Sequence, residues 1–149
     1  MVIQTQIQGL AKLQKKLQDK TDQIQNLQPF WENVGMYVQK QTIKERFDKE
    51  QSPEGTKWKP LAPATIKHRL RRNKTGNIRI LADTGELRRS VRYMALSNGV
   101  MIGSNLKYAR VHQFGGRHIP KRPYLGVTLA EQKYITQMLS MYIRRHFHA

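Results

Sequence analysis

Val91-Arg92-Tyr93-Met94-Ala95-Leu96-Ser97-Asn98-Gly99-Val100-Met101-Ile102-Gly103 is the stretch whose reading decides the fold class. Val91, Tyr93 and Ala95 alternate with Arg92, Met94 and Leu96, the period of a strand that turns alternate side chains to opposite faces. Ser97-Asn98-Gly99 offers the residues that a tight reversal demands, and Val100 to Ile102 carries the chain back. An antiparallel β-hairpin over about 91–103 is the expectation.

Helical patterns flank this hairpin on both sides. Downstream, Thr128 and Glu131 form a capping box, and Ile135, Met138, Leu139, Tyr142 and Ile143 keep one face of a helix whose end carries Arg144 and Arg145, favourable against the dipole. Upstream, Pro29 suits a first helical turn, and Phe30, Val34, Val38, Ile43 and Phe47 follow at roughly helical spacing until Gln51-Ser52-Pro53-Glu54-Gly55 stops the helix. Further back, Ile3, Leu10, Leu17 and Ile24 recur every seven residues, so 1–28 is expected to be a helical extension. Ala62 to Leu70 can form a short helix, and Asp83 with Glu86 reads as a second capping box opening a helix or turn through Ser90. Asn105 can cap a brief helix that Gly115-Gly116 ends, and Ile119 to Tyr124, broken by Pro120 and Pro123, suits an edge strand or an arm. The fold class is α+β: N-terminal helices and a long C-terminal helix packed on a small antiparallel sheet. At 149 residues the chain reads as a single domain, 1–149.

Charge is the most informative bulk property, because Lys+Arg 27 against Asp+Glu 10 gives a net charge of +17 and points to an anionic partner. No acid occurs between Gly55 and Ala82, where eight cations do, and a second acid-free run spans Leu87 to Ala130. Within the first run, 67–79 is expected to be an exposed, mobile basic loop. Its Lys67, Arg69, Arg71, Arg72, Lys74 and Arg79 are candidate contacts for genomic DNA or for an acidic partner protein. The Arg-rich run has no apolar face to insert into a membrane, no stretch matches a membrane span, and Met1 to Gln14 lacks the continuous apolar core of a secretory signal. A soluble protein made and kept in the cytoplasm during assembly is expected. With no Cys there is neither a disulfide framework nor a thiolate metal site.

Catalysis finds little support. His112 and His118 are separated by Gly115-Gly116 with no carboxylate nearby, and His146 and His148 lie at the chain end, so neither pair reads as a metal site. No Gly-x-Ser-x-Gly elbow is present, and no Gly-Lys-Ser/Thr follows Gly115-Gly116-Arg117 to cradle a phosphate. Three acids in the C-terminal half, Asp83, Glu86 and Glu131, do not make a carboxylate pair. A non-enzyme without cofactor or metal is the reading. Trp58, between Lys57 and Lys59, reads as a loop anchor, with stacking on a base as the alternative.

Five blocks occur in one order: Gln51-x-Pro53-x-Gly55-x-x-Trp58-x-Pro60-Leu61, Leu81-x-x-Thr84-Gly85-x-Leu87-x-x-Ser90, Val100-x-Ile102-Gly103, Tyr108-Ala109-x-x-His112-Gln113-Phe114-Gly115-Gly116, and Ile119-Pro120-x-Arg122-Pro123-Tyr124-Leu125-Gly126. In that order they resemble the phage virion morphogenesis family, which includes the tail completion proteins of contractile-tailed phages and the corresponding protein of Mu-like prophages. The resemblance implies a structural role in tail completion and head-to-tail joining, in the virion tail or neck. It further implies a homo-oligomeric ring, with six copies expected, flanked by tail tube or neck and head connector proteins. The competing expectation is a free, sequence-independent nucleic-acid-binding protein. Turn-forming Gly and Pro dominate the blocks, as suits a scaffold. Arg122, with Pro123 and Tyr124 beside it, is the expected subunit contact, because a rigid arm presents a guanidinium at small entropic cost.

Overall fold

A computed structural model describes residues 2–4, 26–72 and 76–147. Its first long helix begins with Pro29 in the opening turn of α1 (Gln28–Tyr37), passes through a π-helical segment (Val38–Ile43) and ends as α2 (Lys44–Lys49). The apolar positions explain the π segment. Phe30, Val34 and Val38 are spaced by four, Ile43 follows after five, Phe47 after four again, and all five are buried. A regular α-helix would rotate Ile43 and Phe47 away from the core, whereas a wider turn absorbs the extra residue and keeps the face aligned. Glu50, at φ 52, then breaks the helix in the left-handed conformation.

Three antiparallel strands form one sheet in the order β1-β3-β2, with β1 at Val2–Gln4, β2 at Val91–Leu96 and β3 at Gly99–Ser104. The hairpin register pairs Leu96 with Gly99 and Val91 with Ser104 around the expected turn. Helix α1 packs across β2 and β3, and the approach is close: a Cβ at Gly35 would stand 2.2 Å from Tyr93 Cδ2. The shorter helices are α3 (Pro63–Arg72), α4 (Glu86–Ser90) and α5 (Ala109–Phe114). The last, α6 (Leu129–Phe147), buries Ile135, Leu139 and Ile143, and Tyr142 meets Phe30 of α1 with ring centroids 5.7 Å apart. Its capping box is formed: Thr128 N–H donates to Glu131 Oε2 at 2.7 Å and Glu131 N–H to Thr128 Oγ1 at 3.2 Å.

Four local expectations are corrected. Residues 2–4 are an edge strand where a helical extension 1–28 was expected, because they pair through Val2 with Gly103 and Gln4 with Met101; 5–25 lie outside the described residues. The basic tract is helical as far as Arg72, and only 76–79 of its described part lies outside regular secondary structure. Asp83 does not cap α4. Its carboxylate faces Arg69 and Arg72, and Gly85, at φ 72, occupies the N-cap instead. Finally, 119–124 is no free arm: Arg122 and Tyr124 are buried in the body of the protein, while Ile119 and Lys121 stay exposed.

Candidate functional site

Three of the five segments carrying the sequence blocks, 51–61, 108–116 and 119–126, are fastened to one another by side chains that bind main chain. Trp58, buried, donates its indole N–H to Pro123 O at 2.8 Å. Gln113, buried on α5, accepts N–H bonds from Tyr124 and Leu125 at 3.0 Å each on Oε1 and donates Nε2 to Leu125 O at 2.8 Å. Arg122 N–H reaches His112 O at 2.8 Å. Gly115, at φ 87, ends α5 and frees the chain for the Gly116–Ile119 turn, closed by reciprocal backbone bonds. Extended segments without a sheet partner leave backbone groups that must be satisfied, and here side chains replace the missing ladder.

Arg46 is the residue that sequence reasoning missed. It is buried on α2, donates Nη1 to Tyr124 O at 3.0 Å and Gly126 O at 2.9 Å, and forks Nη2 onto both oxygens of Glu131 at 2.7 and 2.9 Å. Its signals were present: a cation on the apolar face beside Ile43 and Phe47, and Glu131 as the single acid after Glu86. Burial lowers the pKa of the Arg46 guanidinium from its usual range and the Glu131 carboxylate opposes that shift.

Between α3 and the 108–122 region lies a cleft of about 460 Å³. Four blocks line it, through Leu61, then Leu81, Thr84, Gly85 and Leu87, then Tyr108 and His112, then Ile119, Pro120 and Arg122. Arg69 enters from α3, where Thr65 and Arg69 share one face, and Ala62 joins them from just before the helix. Tyr108 donates its hydroxyl to Glu86 Oε2 at 3.0 Å, and its ring stands edge-on to His112 with centroids 5.8 Å apart. His112 is half-buried with its Nδ1 unpartnered; burial first, then the Arg122 and Arg69 charges, hold its pKa below the ordinary 6.5. His118 also lines the cleft, yet no cluster of three or more metal-ligating side chains occurs among the described residues.

The residues expected at a subunit contact serve inside the subunit instead. Arg122 is 5% exposed and donates Nε to Lys59 O at 2.7 Å and Nη2 to Pro60 O at 2.9 Å. Tyr124 is fully buried, and burial pushes its hydroxyl pKa up to about 12. Pro123, half-buried, offers its carbonyl to Trp58. The physical reason is that proline-punctuated extended chain without a ladder is satisfied by core side chains rather than left projecting.

The basic residues divide into two groups. Arg69 reaches Arg79 O at 2.6 Å and Asp83 at 3.7 Å, and Arg72 pairs with Asp83. Arg79 binds Phe47 O at 3.0 Å and lies 3.6 Å from Asp48 Oδ1. These three tie α3 and the following segment to the body. Lys67 and Arg71 are exposed on the side of α3 away from the cleft-lining residues, and Lys74 lies outside the described residues. No helix among the described residues is long and apolar enough to cross a membrane.

The profile of the phage virion morphogenesis family matches residues 6–144. A relative, the Mu-like prophage FluMu G protein 1 of Haemophilus influenzae, is 33% identical over 90 residues, which are 60% of this chain and 62% of that protein's length. No solved structure matches.

Proposed function

Since the chain belongs to the phage virion morphogenesis family, we propose that it is a structural subunit acting in tail completion and head-to-tail joining, as a closed homo-oligomeric ring of six copies. One observation carries the structural reading: three polar side chains in the blocks that resemble the family spend their polar groups on the main chain. Trp58, Gln113 and Arg122 hold three stretches of backbone in place, which is what a subunit with a fixed shape needs. Self-association is supported by apolar side chains left in water, with Met36 exposed on α1, Leu129, Tyr134 and Met141 on α6, and Phe114 and Ile119 elsewhere. The flanking partners are tail tube or neck and head connector proteins, and the subunit resides in the virion tail or neck. Deleting the gene from an inducible phage genome and imaging the lysate tests the role: separate heads and unfinished tails are expected, and intact particles would overturn it. Sedimentation over a wide concentration range in moderate salt tests the ring, which a monomer throughout would refute.

A second reading, sequence-independent contact with the genome, is favoured by one feature: Lys67 and Arg71 are exposed without an acidic partner among the described residues. Phosphate attraction through Lys67, Arg71 and Lys74 gives charge without base readout. Replacing the three with Gln should flatten the dependence of DNA affinity on salt; an unchanged slope removes the reading.

A further inference from the structure

The protein buries two arginines and provides for them differently. Arg46 faces the Glu131 carboxylate in a two-pronged pair. Arg122 has two backbone carbonyls and, among the described residues, no carboxylate in contact. Carbonyl dipoles solvate a guanidinium without neutralising it, and a charge taken out of water needs a counter-charge nearby. What surrounds Arg122 makes matters worse, because burial first and then the nearby Arg69 charge disfavour its charged form, and both arginines add to the burial that disfavours the charged form of His112. The two acids lining the same cleft are engaged, Asp83 by Arg69 and Arg72 and Glu86 by the Tyr108 hydroxyl. Beside them His112 Nδ1 is buried with no partner.

We propose that this cleft seats a carboxylate side chain from an acidic, apolar-flanked peptide segment of a partner protein, which supplies the counter-charge that Arg122 lacks among the described residues. The cleft's size and lining select this occupant. About 460 Å³ accepts a few side chains, and Leu61, Leu81, Leu87, Ile119 and Pro120 reward a group that brings carbon with its charge. A DNA duplex cannot enter a space of that size, so its phosphates reach the convex surface only. A second copy of this chain is a poor donor, since Asp+Glu 10 stand against Lys+Arg 27. A guanidinium favours a planar carboxylate because its N–H groups match the two oxygens. The proposal rests on the reading of the chain as an assembly subunit, and names the chemistry of what it meets.

The full chain, with its histidine imidazoles labelled with nitrogen-15 and the His112 signal assigned through His112→Gln, is titrated with two capped tripeptides. These are acetyl-Leu-Asp-Leu-amide and its acetyl-Leu-Asn-Leu-amide counterpart. The Asp peptide is expected to shift the His112 signal saturably, with affinity about tenfold above the Asn peptide. Arg69→Gln, on the cleft wall, should weaken the Asp peptide several-fold; because Arg69 also binds Arg79 O and Asp83, circular dichroism and thermal unfolding first verify that the variant is folded. It serves beside Arg122→Gln, which also removes bonds that hold the fold. Equal response to both peptides, or no saturable shift, overturns the proposal. Inorganic phosphate that displaces the Asp peptide at equal concentration also overturns it, by showing a general anion site. The free chain suffices, so failure here leaves the lysate and sedimentation tests of the proposed function untouched.

Discussion

Replacing Gln113 with Leu keeps the side-chain volume near constant and removes only the amide, which isolates the clasp that binds α5 to the 124–125 backbone. Three buried main-chain groups lose their partners: Tyr124 N–H, Leu125 N–H and Leu125 C=O. Each orphaned buried group costs about 1–3 kcal/mol, and partial relaxation brings the sum to about 4 kcal/mol, a large share of the 5–15 kcal/mol by which domains are stable. Water is poorly placed to compensate, because Gln113, Tyr124 and Leu125 are all buried. Urea unfolding of the two proteins should therefore show a much lower midpoint for Gln113→Leu at an unchanged slope. Amide exchange at Tyr124 and Leu125 should accelerate more than at β2 or β3, because the clasp is lost locally as well as globally. A stability loss below about 1 kcal/mol would refute the reasoning, since that is the net worth of a single ordinary hydrogen bond.

Gly35→Ala should destabilise by about 2 kcal/mol, because the new methyl would meet the Tyr93 ring at Cδ2 and at Cγ, 2.6 Å away, and Cγ cannot swing clear; thermal unfolding measures the loss. Tyr124→Phe should be neutral or slightly stabilising, by about 1 kcal/mol at most, because the hydroxyl is buried without a partner; a loss of several kcal/mol by urea unfolding would reveal a partner for it. His112 has a folded-state pKa below its unfolded value near 6.5, so the unfolded chain binds the proton first as pH falls. Its contribution to stability is fully present above that value and is lost between it and the lower folded pKa. Unfolding free energies of wild type and His112→Gln compared from pH 7 downward should show the wild type falling more steeply below about 6.5.

Periodicity and turn chemistry determined the parts of this protein whose cause is local. Alternation over Val91–Leu96 and the Ser97-Asn98-Gly99 reversal give the hairpin, and the Thr128–Glu131 box with its apolar face gives α6. Even the π segment was written in the five-residue step from Val38 to Ile43, and the ordered blocks identified the family. Tertiary structure alone decided where the charged and extended parts go. Asp83 left its expected cap to meet two arginines of α3, Tyr124 sank into the body, and Arg122 became an internal fastener. It also assembled the cleft from residues between 61 and 122 in the chain. The physical reason is range. A side chain's periodic neighbours lie within a turn or a strand pair, so sequence spacing records them. The partner of a buried charge or an unpaired backbone group is set by which distant segment packs beside it, as with Arg46 and Glu131, and no local pattern records that choice.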